Sequence, residues 1–117
     1  VVEVDLVMEW LHELGEESHD LVIAALELLA EQGPALGRPL ADRVAGSRHH
    51  HMKELRPGSV GRTKLRILFA FDPKRTAVLL VAGNKQGQWQ KWYEDNIPVA
   101  EDLYDEHLKR LKEVEEK

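Results

Sequence analysis

The chain has 117 residues, 43% hydrophobic and 32% charged, with a formal net charge of −5 and no cysteine. That length supports one domain across residues 1–117, burying roughly two-thirds of its unfolded surface around a single core. The absent cysteines exclude a disulfide framework, a thiolate metal site and a cysteine nucleophile.

No apolar run reaches membrane-spanning length and no signal-peptide pattern opens the chain, so a cytoplasmic protein with no membrane partner is expected. Residues 1–5 read as the end of a strand. Val7, Trp10, Leu11 and Leu14 follow helical spacing, and Gly15 stops the run. Ser18 offers an N-cap for a second helix, with Asp20 favourable in its first turn. Leu21, Val22, Ala25, Leu26 and Leu29 make its apolar stripe, and Gly33-Pro34 ends it. The two helices are expected to form a hairpin on a sheet, with Trp10 in the core. Residues 33–47, rich in Gly and Pro, read as a connection with Leu36 and Leu40 tucked under.

A strand over about residues 50–55 then leads through Pro57-Gly58 into a second strand over 62–71. In the first, Met52 and Leu55 fall on opposite faces; either both faces are partly covered or a bulge shifts the register. In the second, Arg62, Lys64 and Arg66 share one face, and Thr63, Leu65, Ile67, Phe69 and Phe71 share the other. Asp72-Pro73-Lys74-Arg75 is a turn. Residues 77–82 are apolar throughout, as in a strand covered on both faces. Residues 83–87 form a loop, and Pro98 suits the first turn of a last helix. Leu103, Tyr104, His107, Leu108 and Leu111 form that helix's stripe. The expected fold is a small α+β domain with an antiparallel sheet.

The negative net charge hides a partition. Residues 1–37 hold nine acids and no Lys or Arg, residues 38–91 twelve Lys/Arg against three acids, and residues 92–117 nine acids against four bases. Local field decides what docks on a surface. The middle segment combines Lys53, Arg56, Arg62, Lys64, Arg66, Lys85 and Lys91 with Trp89, Trp92 and Tyr93. Cations hold phosphates and aromatic faces stack unpaired bases, a combination suited to single-stranded RNA. The competing expectation for Trp89 and Trp92 is packing against the last helix. His49-His50-His51 invites a metal, but on a strand only His49 and His51 converge and no further ligand spacing exists nearby. Histidines contacting RNA suit the run better, and no metal or cofactor is expected. No phosphate-cradling glycine loop and no serine-nucleophile elbow is present.

At Lys53-Glu54-Leu55-Arg56-Pro57-Gly58-Ser59, Arg66-Ile67-Leu68-Phe69-Ala70-Phe71-Asp72-Pro73, Gly83-Asn84-Lys85 and Trp92-Tyr93-Glu94-Asp95-Asn96-Ile97-Pro98 the chain resembles the phage-derived HigB-like toxins. These belong to the RelE/ParE superfamily of type II toxin–antitoxin modules, and the resemblance runs from about Trp10 to His107. It departs from the family pattern at His51 and Asn84, where asparagine and aspartate are usual.

The resemblance implies two N-terminal helices on a compact sheet. It implies ribosome-dependent mRNA cleavage, neutralised by a helix-turn-helix antitoxin in a complex that could be a heterotetramer. The reaction it implies is metal-independent attack of an mRNA 2′-hydroxyl on the adjacent phosphate. Arg56 and Arg66, with forked guanidinium groups, then suit the phosphate. Superfamily analogy makes Lys53 or Lys64 the base, and Lys85, Tyr93 or a histidine the acid. The rival expectations are a binding-only protein of the same fold and a gyrase-directed toxin.

Overall fold

The computed structural model describes residues 1–116. Strand β1 (Val2–Glu3) is followed by helices α1 (Met8–Glu13) and α2 (Glu16–Gln32). Strands β2 (Ala41–Arg43), β3 (Lys53–Leu55), β4 (Leu65–Phe71) and β5 (Ala77–Asn84) come next, and helix α3 (Trp89–Glu115) ends the chain. The strand order is β1-β5-β4-β3-β2. The four strands from β5 to β2 are antiparallel as expected, while β1 adds a parallel edge through Val2↔Ala77 and Glu3↔Val78.

Each side of the sheet carries its own core. On one face Val22, Ala25, Leu26 and Leu29 of α2 pack with Leu55, Leu65, Ile67, Phe69 and Leu79. On the other, Trp92, Ala100 and Tyr104 of α3 pack with Met52, Leu68, Ala70, Val78 and Leu80. Alternation along β4 therefore sends apolar side chains to two covered faces. The same arrangement resolves Met52 and Leu55, whose opposite faces are both buried. A bulge does occur, but in β5 opposite Leu68/Phe69, where register slips from Leu68↔Val81 to Phe69↔Leu79. It lets Leu80 and Val81 both serve the α3 face.

Six boundaries differ from the sequence expectation: β3 begins at Lys53 rather than near residue 50, which leaves His50 and His51 in a turn, and β5 runs on to Asn84, taking Gly83 and Asn84 from the expected loop. Gly15, not Ser18, is the N-cap of α2, and its carbonyl accepts the His19 amide at 2.8 Å. Glu16 and Glu17 then supply the acidic first turn that suits the helix dipole. The 33–47 connection contains β2, an edge strand too short to show alternation. Strand β4 begins only at Leu65, so Arg62 and Lys64 precede it and the three cations do not form one strand face. Helix α3 begins at Trp89, nine residues before Pro98, and runs through that proline. A mid-helix proline sacrifices one backbone bond and crowds the preceding turn. Burial of Trp92, Ala100 and Tyr104 on both sides of Pro98 holds the helix continuous.

Candidate functional site

The pairings Leu55↔Ile67, Leu65↔Asn84 and Arg66↔Gly83 bring three chain segments to one end of the sheet. Arg56 follows directly on β3 and is tied back by its amide to the Leu40 carbonyl at 2.7 Å. Arg66 alternates with Leu65 and Ile67, which face α2, so its own side chain points to the α3 face. Lys64 precedes β4, and its carbonyl accepts the Lys85 amide at 2.9 Å. Asn84 locks this corner, its Oδ1 accepting the amides of Lys64 at 2.9 Å and Gln86 at 3.0 Å. An aspartate oxygen could accept the same two bonds, so Asn84 preserves the turn.

Glu54 is the carboxylate within this group, and sequence reasoning passed it over. Its side chain is buried and takes Nε and Nη2 of Arg56, each at 2.6 Å on Oε1. Asp42 adds a longer contact to Arg56 Nη2 at 3.5 Å. Together Glu54, Arg56 and Tyr93 line a hollow of about 220 Å³ with Arg43 and Gln90. Strand alternation from Met52 places Glu54 on the α3 side, which is the signal that could have found it.

Lys85 is 8% exposed, an unusual burial for a lysine. Its Nζ lies 4.7 Å from the Trp89 ring centre and 5.0 Å from that of Tyr93, which favours the cation electrostatically. Burial, then the Arg66 guanidinium, hold Lys85 below the ordinary lysine value. Burial, then the Glu54 carboxylate, push the Tyr93 hydroxyl up to about 12. Arg66 donates from Nη1 to the Leu65 carbonyl at 2.8 Å, whereas its buried Nε has no hydrogen-bond partner among the described residues. Arg66, Arg56 and Lys64 thus lie close enough to Lys85 for their charge to act on it, with Glu54, held by Arg56, as the opposing carboxylate. Among the described residues, neither Lys64, Arg66 nor Lys85 is within ion-pair distance of an acid. Such a cluster repels itself and favours an anionic ligand.

The structure therefore brings together Arg56, Lys64, Arg66, Lys85, Tyr93 and Trp89 of the sequence-stated candidates, and leaves the others elsewhere. Lys53 sits at the opposite end of β3, its Nζ 5.6 Å from the Phe71 ring centre. It lines a separate hollow with His51, Phe71 and Tyr104. His49 is anchored to α3, with Nε2 2.8 Å from Asp105 and its ring edge-on to Tyr104. Arg62 is exposed at the tip of a turn closed by Val60 and Thr63. Lys91 pairs with Asp95 one helical turn on. Trp92 is a core residue at 5% exposure, packed so closely on β5 that a Cβ at position 83 would stand 2.8 Å from its Nε1.

No helix among the described residues is long and apolar enough to cross a membrane. A family model described as "Phage derived protein Gp49-like (DUF891)" matches residues 9–105. Two Mycobacterium tuberculosis proteins are similar along most of the chain. One, named "Putative toxin HigB2", is 52% identical over 115 residues, covering 98% of this chain and 57% of its own length. The other, named "Putative toxin HigB3", is 46% identical over 101 residues, 86% of each chain. The chain thus spans little more than half the length of the first relative. No solved structure matches.

Proposed function

The chain belongs to the phage-derived Gp49-like family of HigB-like toxins, and from that premise we propose that it is the toxin of a type II toxin–antitoxin module that cuts mRNA on the ribosome. The observation that carries this reading is the grouping of Arg66, Arg56 and Lys64 about the buried Lys85, with Glu54 held by Arg56 and the Trp89 and Tyr93 rings against the lysine. A phosphodiester with unpaired bases answers both features.

In the proposed reaction Arg66 and Arg56 grip the non-bridging oxygens of one phosphate, and the adjoining 2′-oxygen attacks phosphorus. The 2′-hydroxyl proton passes to a base, the bond from phosphorus to the 5′-oxygen breaks, and that oxygen takes a proton. The products are a 2′,3′-cyclic phosphate and a free 5′-hydroxyl end. Of the two lysines that superfamily analogy offers as base, Lys64 belongs to the cluster and Lys53 does not. Lys85 suits the acid role, because a lysine held below its ordinary value yields its proton more readily. Glu54 aims the Arg56 fork, and Tyr93, held protonated, can donate a hydrogen bond to the phosphate. Added charge stabilisation as the phosphorane forms is where the rate gain arises.

The partner in this reading is a helix-turn-helix antitoxin, and the ribosome presents the message. The test is addition of the chain to a translating extract with mapping of RNA 5′ ends. New 5′-hydroxyl ends inside translated messages support the reading. Intact messages accompanied by broken DNA would replace it with a gyrase-directed toxin, and intact messages and DNA with a binding-only protein.

A further inference from the structure

Trp89 has no packing role that accounts for its placement. It is 63% exposed, whereas Trp92, on the next turn of the same helix, is 5% exposed and fills the core. A bulky apolar ring left in water forfeits the burial that normally stabilises it. Its backbone is also unusual. Trp89 has φ +25°, which side-chain-bearing residues rarely adopt, two residues after Gly87 at φ +74°. Residues held in such conformations cluster at ligand clamps. The Gln88 and Trp89 amides both bond the Lys85 carbonyl, at 2.9 and 3.2 Å, so the turn that carries the indole also carries the lysine. Lys85 Nζ lies against the ring, 4.7 Å from its centre, leaving much of the indole open beside the cation cluster.

We propose that Trp89 is the platform on which an unpaired base next to the gripped phosphate stacks. This rests on the RNA-cutting reading above and adds to it the means by which the strand's bases are held. A phosphate at Arg66 and Lys85 puts the neighbouring base beside the indole, whose backbone the Lys85 carbonyl already holds, so that less ordering is left to binding. Stacking accepts every base, so this contact holds the strand without reading its sequence. Trp89 is a binding residue in this account, separate from the groups that move protons.

The test compares two strands of equal length: a 2′-O-methyl oligoadenylate, which cannot be cut, and an abasic ribose-phosphate strand. Trp89→Ala is expected to weaken oligoadenylate binding by about 10- to 100-fold. Its affinity for the abasic strand should stay at the wild-type value, and Trp89→Phe should recover most of the loss. Equal oligoadenylate affinity in wild type and Trp89→Ala would overturn the proposal and leave the RNA-cutting reading in place. Equal losses on both strands would also overturn it, showing that the indole acts only through Lys85. A wild-type chain that binds the two strands equally, or binds neither, would overturn the proposal, and one that also cuts no message would remove both readings. Urea unfolding of each variant confirms that fold is retained, as expected for a side chain largely in water.

Discussion

Gly83→Ala tests whether the packing of α3 on β5 is as close as the structure shows. An alanine Cβ at this position would stand 2.8 Å from Trp92 Nε1 and 3.4 Å from its Cε2 and Cζ2. Comfortable contacts lie nearer ~3.5–4.0 Å, so the indole must retreat. It has little room, being 5% exposed among Met52, Leu68 and Leu80. Overpacking of this kind costs about 1–3 kcal/mol. Replacing a glycine returns about 0.4–1 kcal/mol through the unfolded chain. The net expectation is a loss of about 1–2 kcal/mol, or roughly 4–8 °C in Tm for a domain of this size. Urea unfolding should show a lower midpoint with an unchanged slope. In a Trp92→Phe background the phenyl ring has no atom at the Nε1 position, so the same substitution should cost less, with a coupling of at least about 0.5 kcal/mol. Equal stability of Gly83→Ala and wild type, or the same cost in both backgrounds, would refute the argument.

Asp72 supports a second prediction at the far end of the sheet. Its Oδ1 accepts the Lys74 and Thr76 amides, each at 2.9 Å, and its Oδ2 lies 2.8 Å from His107 Nε2. Burial pushes its pKa up, but the bonds from His107, Thr76 and Lys74 outweigh that and leave it lowered. A lowered carboxylate contributes stability that is complete above its unfolded value and lost as pH falls through the folded value. Asp72→Ala should therefore cost about 2–3 kcal/mol near neutrality, with a shallower loss of stability below about pH 4 than wild type; parallel pH–stability curves would contradict this. For catalysis, Lys85→Gln should lower the cleavage rate by about 10²–10⁴ if Lys85 is the acid. The rate should fall as pH rises through the Lys85 pKa, which is held below the ordinary lysine value. Whatever activity Lys85→Arg retains should lose that alkaline fall, and an unchanged pH profile would exclude Lys85 from the proton transfer.

The long apolar signals were the readable part of this chain. Strand β4, the run of β5 and the stripe of α2 are each long enough for periodicity to speak, and the body of each stands where the sequence puts it, though β4 begins three residues later and β5 ends two residues later than expected. Strand β2 has three residues among Gly and Pro, too few to alternate. Pro98 misled because its local preference for a first turn yields here to burial on both sides of it. At the candidate site, the nearness of Arg56 and Arg66 follows from the pairing of β3 with β4, which the hairpin pattern made legible. Lys53 lies apart from Arg56, and the period itself separates the two: three positions apart along the chain means opposite faces, as it does for Met52 and Leu55. Glu54 escaped notice because a lone acid among cations reads as charge balance until its burial is seen. Lys85 and Tyr93 come together only through the fold, one from the end of β5 and one from the first turns of α3.

The most direct measurement of the central claim is the single-turnover rate of message cleavage on translating ribosomes by wild type and by Arg66→Ala. Arg110, on the outer part of α3 and away from the cluster, provides the control substitution. The cluster account expects Arg66→Ala to lose about 10²–10³ in rate with its urea midpoint retained, and Arg110→Ala to cut like wild type. Undiminished cleavage by Arg66→Ala, or equal losses in the two variants, would contradict it.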